Sequence, residues 1–200
     1  MTRGRGSSWL AIFAGIAMLA ANASAPASEF RTSDITGQGY GAVMPILVDQ
    51  DGRARSRDDF KGRTTILLFG FTHCPDRCPT ALSNLSVVLD QLGENRDRVQ
   101  IAFITVDPGR DTPEVLRDYL SGFGANFVGL TGGADAIRKA AKSFKVFFRK
   151  VPLPDGDYTM DHSAVIYVLD PQTRVRLMFT TNRRPEDVAH DILELLREAS

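Results

Sequence analysis

The chain has 200 residues, enough for one domain of ordinary size, with 43% hydrophobic and 24% charged residues, a balance that excludes wholesale disorder. Lysine plus arginine and aspartate plus glutamate each number 24, so the formal charge is zero. No basic excess points to nucleic acid, and no acidic tail points to a basic partner.

The first 28 residues have the pattern of a targeting segment. Arg3 and Arg5 form a short positive region, and Trp9–Ala21 is apolar and uncharged. Small residues follow in Asn22-Ala23-Ser24-Ala25 and Pro26-Ala27-Ser28, giving Ala-x-Ala sites that end at Ala23, Ala25 or Ala27. Pro26 disfavours a cut after Ala25. An uncleaved anchor is the alternative, since Trp9–Ala25 reaches the lower edge of what spans a bilayer. Either way the rest of the chain is predicted to be exported. It is mildly acidic, because residues 1–28 hold two arginines and no acids, and it keeps both cysteines. In an oxidising compartment such a pair is ordinarily a structural disulfide.

Residues 29–41, rich in Gly, Ser and Thr, read as a linker. Met44–Val48, the turn Asp49-Gln50-Asp51-Gly52 and a return into Asp59-Phe60 predict a small hairpin. Thr64–Phe69 is an apolar run suited to a fully buried strand. It leads straight into Gly70-Phe71-Thr72-His73-Cys74-Pro75-Asp76-Arg77-Cys78-Pro79. Leu82, Leu85, Leu89 and Leu92 then mark one face of a helix that Gly93 ends. Val99–Val106 is a second strand, closed by Asp107-Pro108-Gly109. Asp111-Thr112-Pro113 supplies a cap and a first-turn proline for a helix through Tyr119 and Leu120. Phe127–Leu130 is a short strand, and Ile137, Ala140, Ala141 and Phe144 mark a third helix.

Val146–Val151 is aromatic and β-branched, and Pro152–Asp157 is a turn-rich connection. Ala164–Leu169 and Val175–Phe179 flank Asp170-Pro171-Gln172-Thr173, a hairpin signal. Pro185–Glu198 closes the chain as a helix with Val188, Ile192 and Leu195 on one face. The order, β-α-β-α followed by β-β-α, predicts an α/β, thioredoxin-like fold over residues 42–200. Its central mixed sheet would be flanked by helices, with an extra helix and strand inserted and an N-terminal hairpin extension.

The chemistry concentrates at Cys74 and Cys78, where a buried strand meets an amphipathic helix. Thiols four positions apart face the same way in a helix, at a separation that suits a disulfide or a shared ion. The helix N-terminus favours thiolate, and soft thiolates select copper(I) or zinc. Two ligands do not complete a zinc site, which calls for four. The third donor is sought among three histidines. His190 is phased near Asp187 and Glu194 on the final helix, which suits a surface role. His73 adjoins Cys74 and can face away from it. His162 stands where a thioredoxin-like fold brings the segment before its hairpin against the cysteine helix, and is the better candidate. Met160 is assigned to packing.

Three blocks in this order resemble the Sco (SenC) family of copper proteins: Phe69–Pro79, then Ile104–Pro108 with Asp111-Thr112-Pro113, then Asp161-His162-Ser163-Ala164. The likeness runs from about Ile35 to the C-terminus. It implies a thioredoxin-like domain in which Cys74, Cys78 and His162 bind one copper ion, copper(I) or copper(II), and in which Cys74 and Cys78 can also form a disulfide. It implies a protein in the bacterial periplasm, soluble or tethered to the inner membrane. The implied partner is the copper-containing subunit of a cytochrome c oxidase, with a further periplasmic copper donor or thiol reductase upstream. Phe71 stands where the family often has tyrosine, and Arg77 where it is often aliphatic.

Asp161 is a neighbour able to orient the His162 ring or to cap a turn. Two functions remain open on the residues: a copper metallochaperone with no substrate turnover, and a thiol–disulfide oxidoreductase in which Cys74 and Cys78 are the redox pair. A purely structural disulfide is the least favoured, because it would close a very small loop. The chain is expected to be a monomer.

Overall fold

The computed structural model describes residues 1–2 and 29–199, so the targeting segment expected within residues 1–28 lies almost wholly outside the described residues. The described residues form ten strands and four α-helices. In chain order they are β1 (Ser33–Asp34), β2 (Leu47–Asp49), β3 (Ala54–Arg55), β4 (Thr64–Gly70), α1 (Arg77–Gln91), β5 (Val99–Thr105), α2 (Pro113–Leu120) and β6 (Phe127–Thr131). There follow α3 (Ala134–Ser143), β7 (Phe148–Pro152), β8 (Tyr158–His162), β9 (Val165–Leu169), β10 (Val175–Thr180) and α4 (Pro185–Glu198). Among the described residues no helix is long and apolar enough to cross a membrane.

Eight strands form one mixed sheet in the order β1-β10-β9-β4-β5-β6-β2-β3. β4 and β5 sit at its centre and are buried along their whole length, as their unbroken apolar runs require of strands covered on both faces. β4, β5 and β6 are parallel, while β9 and β10 close one flank antiparallel. At the middle of the sheet Leu67 is flanked by Ala102 and Tyr167. This is the thioredoxin-like α/β arrangement that the element order predicts.

The helices cover the sheet with the faces their sequences mark. On α1 the buried stripe runs Cys78, Ala81, Leu82, Leu85, Val88 and Leu89, and it packs in part against α4. Each fully buried leucine there contributes roughly 1.5–3 kcal/mol. α2 starts where the Thr112 hydroxyl accepts the Val115 N–H at 3.3 Å with Pro113 in the first turn. It lies so close on β6 that a Cβ at Gly129 would stand 2.8 Å from Leu120 and 3.0 Å from Leu116. After α3, the Phe144 carbonyl accepts the Tyr167 hydroxyl at 2.6 Å, which ties the helix end to β9.

Three features go beyond the sequence reading. Within residues 29–41, Ser33–Asp34 adds a strand to the sheet edge, pairing with Met178 and Leu177 of β10. The buried Asp191 carboxylate of α4 pins the preceding turn by accepting the Arg31 and Thr32 N–H groups at 2.7–3.0 Å. The chain therefore joins the domain at the end of the sheet where β4 stops and β9 begins. Second, the turn-rich connection 152–157 is the tip of a separate two-stranded ribbon, β7–β8, whose second strand runs Tyr158–His162. Third, residues Gly93–Arg98 form a 3-10 helix between α1 and β5.

Candidate metal centre

The centre is assembled at the C-terminal end of β4, where the sheet delivers the chain into α1. Gly70, the last residue of β4, has no room for a side chain: a Cβ would lie 2.6 Å from the Phe103 ring and 2.9 Å from the Cys78 sulfur. Cys78 therefore rests directly on the sheet, in the first turn of α1, as the leading member of the helix's buried stripe. Cys74 lies one turn earlier, half-buried at the mouth of a cavity of about 410 Å³. Phe71, Cys74, Cys78, Ala81, Met160 and His162 are among its lining residues.

The two sulfurs have opposite electrostatics. The Cys78 thiol hydrogen-bonds to the Cys74 sulfur, which also accepts the Cys78 backbone N–H at 3.4 Å. Those bonds, with help from the N–H groups of Asp76 and Arg77 at the helix start, outweigh partial burial and lower the Cys74 pKa from 9.0 to about 5. Cys78 moves the other way: donating to Cys74 and lying buried both hold its proton on. The two shifts favour thiolate at Cys74 and thiol at Cys78. Both are free cysteines.

His162 is the last residue of β8 and points its Nε2 at the Cys78 sulfur, 3.9 Å away. Its Nδ1 lies 3.1 Å from the Ser163 carbonyl. A carbonyl only accepts, so Nδ1 carries a proton, and in the neutral ring Nε2 presents a lone pair toward the sulfur. The edge of the buried Phe71 ring meets the imidazole at 88° with centroids 5.9 Å apart, fixing the ring plane. A separation of 3.9 Å is near what two bonds of about 2.3 Å to sulfur and 2.0 Å to nitrogen span across one ion. Among the described residues no three His, Cys, Asp or Glu side chains stand as a preformed cage. Two possible donors, Cys78 and His162, face each other, and Cys74 lines the same cavity, half-buried.

Of the sequence candidates, Cys74, Cys78 and His162 converge on this cavity. Asp161 is adjacent, but its carboxylate accepts from Arg149 Nε at 3.1 Å, and the ring nitrogen of His162 is held by Ser163 instead. His73 is exposed, its Nδ1 beside the Thr72 hydroxyl at 3.1 Å. His190 stays on α4 with Asp191 at 3.0 Å and Glu194 at 3.8 Å. Residues that sequence reasoning left without a role hold the frame. The fully buried Asp111 accepts the Thr72 N–H at 3.1 Å, the Thr72 hydroxyl at 2.6 Å and the Thr105 hydroxyl at 2.5 Å, which fastens the cysteine loop to β5 and its exit. The signal is the Asp111-Thr112-Pro113 block itself, which the sequence offers as a helix cap and as part of the family resemblance, with no sign that the Asp111 carboxylate is buried under the cysteine loop.

Comparisons with known proteins bear on the family and the fold. The family model described as SCO1/SenC matches residues 46–197. An SCO2-like protein of Rickettsia felis is 38% identical over 144 residues, covering 71% of this chain and 70% of that protein. Among solved structures, copper-bound ScoI of Bradyrhizobium japonicum is 44% identical with a TM-score of 0.70, over 76% of this chain and 96% of that one. Copper-bound ScoI of Arabidopsis thaliana is 33% identical with a TM-score of 0.73, over 78% and 99% respectively.

Proposed function

Because this chain belongs to the SCO1/SenC family, we propose that it is a copper metallochaperone: it binds one copper ion through Cys74, Cys78 and His162 and helps assemble the dinuclear copper centre of a cytochrome c oxidase. The observation that carries the proposal is the opposition of the Cys78 sulfur and the His162 Nε2 lone pair, with the Cys74 thiolate at the mouth. Two sulfurs and an imidazole form a soft donor set that suits copper(I), and an added fourth donor would accommodate copper(II). The domain works outside the inner membrane, in the periplasm or tethered to the membrane by residues 1–28, facing the copper-containing subunit of the oxidase and a separate copper donor.

The test is a copper(I) titration of the reduced full chain against a competing chelator. One ion per chain is expected, lost with Cys74→Ser and bound at least tenfold more weakly with His162→Ala. Copper affinity indifferent to His162 would overturn the three-ligand assignment.

The asymmetry of the two sulfurs favours a second reading, thiol–disulfide oxidoreductase. The Cys74 thiolate would attack a disulfide of the partner oxidase, releasing one partner thiolate and forming a mixed disulfide. Cys78, giving its proton to the partner thiolate released first, would then attack the Cys74 sulfur and release the second thiolate. The partner gains two electrons, and a Cys74–Cys78 disulfide remains. An upstream thiol reductase would restore the dithiol. His162 has no part in those steps, so its variant separates the two readings.

A further inference from the structure

The turn from Asp107 to Thr112, between β5 and α2, touches both halves of the centre and belongs to neither. Its far end holds the cysteine loop through Asp111. Its near end holds the ribbon that carries His162. Asp107 is buried; its Oδ1 accepts the Tyr158 hydroxyl at 3.0 Å and its Oδ2 accepts Arg110 Nε at 2.6 Å. Arg110 Nη1 reaches the Tyr158 carbonyl at 3.1 Å and Asp157 at 3.2 Å. Its guanidinium also lies over the Tyr158 ring, 3.7 Å from the centroid, and Lys150 Nζ stands 3.3 Å from the same centroid.

The ribbon needs such a clasp. β7 and β8 pair only with each other and are outside the main sheet. A lone two-stranded ribbon is marginally stable in water, so side-chain contacts decide where it sits. Tyr158 and His162 are four positions apart on β8, and alternation along a strand puts both on one face. The residue clasped at one end of β8 therefore sets the position of the imidazole at the other.

We infer that Tyr158, held by Asp107 and Arg110, is the positioning residue for His162, and that the β5–α2 turn sets the distance between the imidazole and Cys78. The inference rests on the reading of His162 as a copper donor. Tyr158 touches no sulfur and acts through the strand alone. The cysteine loop is fastened by a different carboxylate, that of Asp111, at the other end of the same turn.

Tyr158→Phe tests this, since it keeps the ring under the two cations and removes only the hydroxyl that Asp107 accepts. Copper(I) affinity of the full chain is expected to fall about tenfold, the usual scale for a residue that orients a metal ligand. The reduction potential of the Cys74–Cys78 pair should stay unchanged. In a His162→Ala background the same substitution should cost no further affinity, because the residue through which it acts is gone. Unchanged affinity in Tyr158→Phe, an equal loss in both backgrounds, or a potential that moves with the affinity would each overturn the positioning role. If His162→Ala itself leaves affinity intact, both this inference and the three-ligand proposal fail. A neutral Tyr158→Phe beside a responsive His162→Ala removes this inference alone.

Discussion

The sulfur of Cys78 and the Nε2 of His162 stand 3.9 Å apart across 84 positions of sequence. The pair is an intersection of two supports, the first turn of α1 and the end of β8, and each support can be tested.

The His162 ring should be found in one tautomer. With Nδ1 committed to the Ser163 carbonyl, the neutral ring carries its proton there. Nitrogen chemical shifts of the metal-free reduced protein are expected to show a protonated Nδ1 and a bare Nε2. A proton on Nε2 would mean that the nitrogen facing Cys78 is not ready to donate to a metal.

Cys74 should be alkylated selectively, with a rate that reaches half its maximum near pH 5, against 9.0 for an ordinary thiol. Cys78, sealed and protonated, should stay unmodified in the folded protein. Cys78→Ala removes the first cause of the shift and should raise the Cys74 midpoint toward the ordinary value. The same shift links to stability. A depressed folded pKa stabilises fully above 9.0 and loses that contribution as pH falls to about 5. The stability of the reduced protein relative to Cys74→Ser should therefore grow from pH 5 to pH 8, as denaturant midpoints would show.

Gly70→Ala should damage the centre from below. The new methyl would collide with the Phe103 ring and the Cys78 sulfur, both packed on the sheet. Overpacking of this kind costs about 1–3 kcal/mol. Urea unfolding should show that loss together with weakened copper(I) binding. A stable variant with full affinity would show that Cys78 has freedom the packing denies it.

Asp191→Ala should loosen the N-terminal segment while sparing the centre. The buried carboxylate accepts the Arg31 and Thr32 N–H groups, and losing hydrogen bonds to a charged acceptor costs about 1.5–3 kcal/mol. Amide exchange at Arg31, Thr32 and Ile35 should accelerate, with copper affinity unchanged. Exchange as slow as in the unaltered protein would place the hold elsewhere, on the β1–β10 pairing.

What the sequence displays and what it hides divide along a physical line. The unbroken apolar run of β4, the leucine spacing of α1 and the cap of α2 are local signals, and the structure follows them. The cysteine pair was legible because only four positions separate the two at the start of one helix, Cys78 in its first turn and Cys74 in the loop just before it. β8 was not: Tyr-Thr-Met-Asp-His is a half-exposed ribbon strand with mixed polarity, and no periodicity marks it. Asp107, Asp111 and Asp191 are buried carboxylates whose partners lie on other elements, and such pairing leaves no trace in spacing. The carboxylate beside His162 invites a role in orienting the ring, yet Asp161 reaches across the ribbon to Arg149, because on a strand neighbouring side chains face opposite sides.

The short strand β1 has a consequence for reach. It brings the chain onto the sheet beside Met178, so that Arg31 and Thr32 lie by Thr180 at the end of β10. Thr181, the next residue, donates its N–H to Ala164 and lines the cavity of Cys74 and His162. The leash and the loading port thus share one rim of the domain. Were residues 1–28 held in a membrane, as proposed, the cavity would lie on the side facing it, and partners in the same membrane would be met at a higher effective concentration than those free above it.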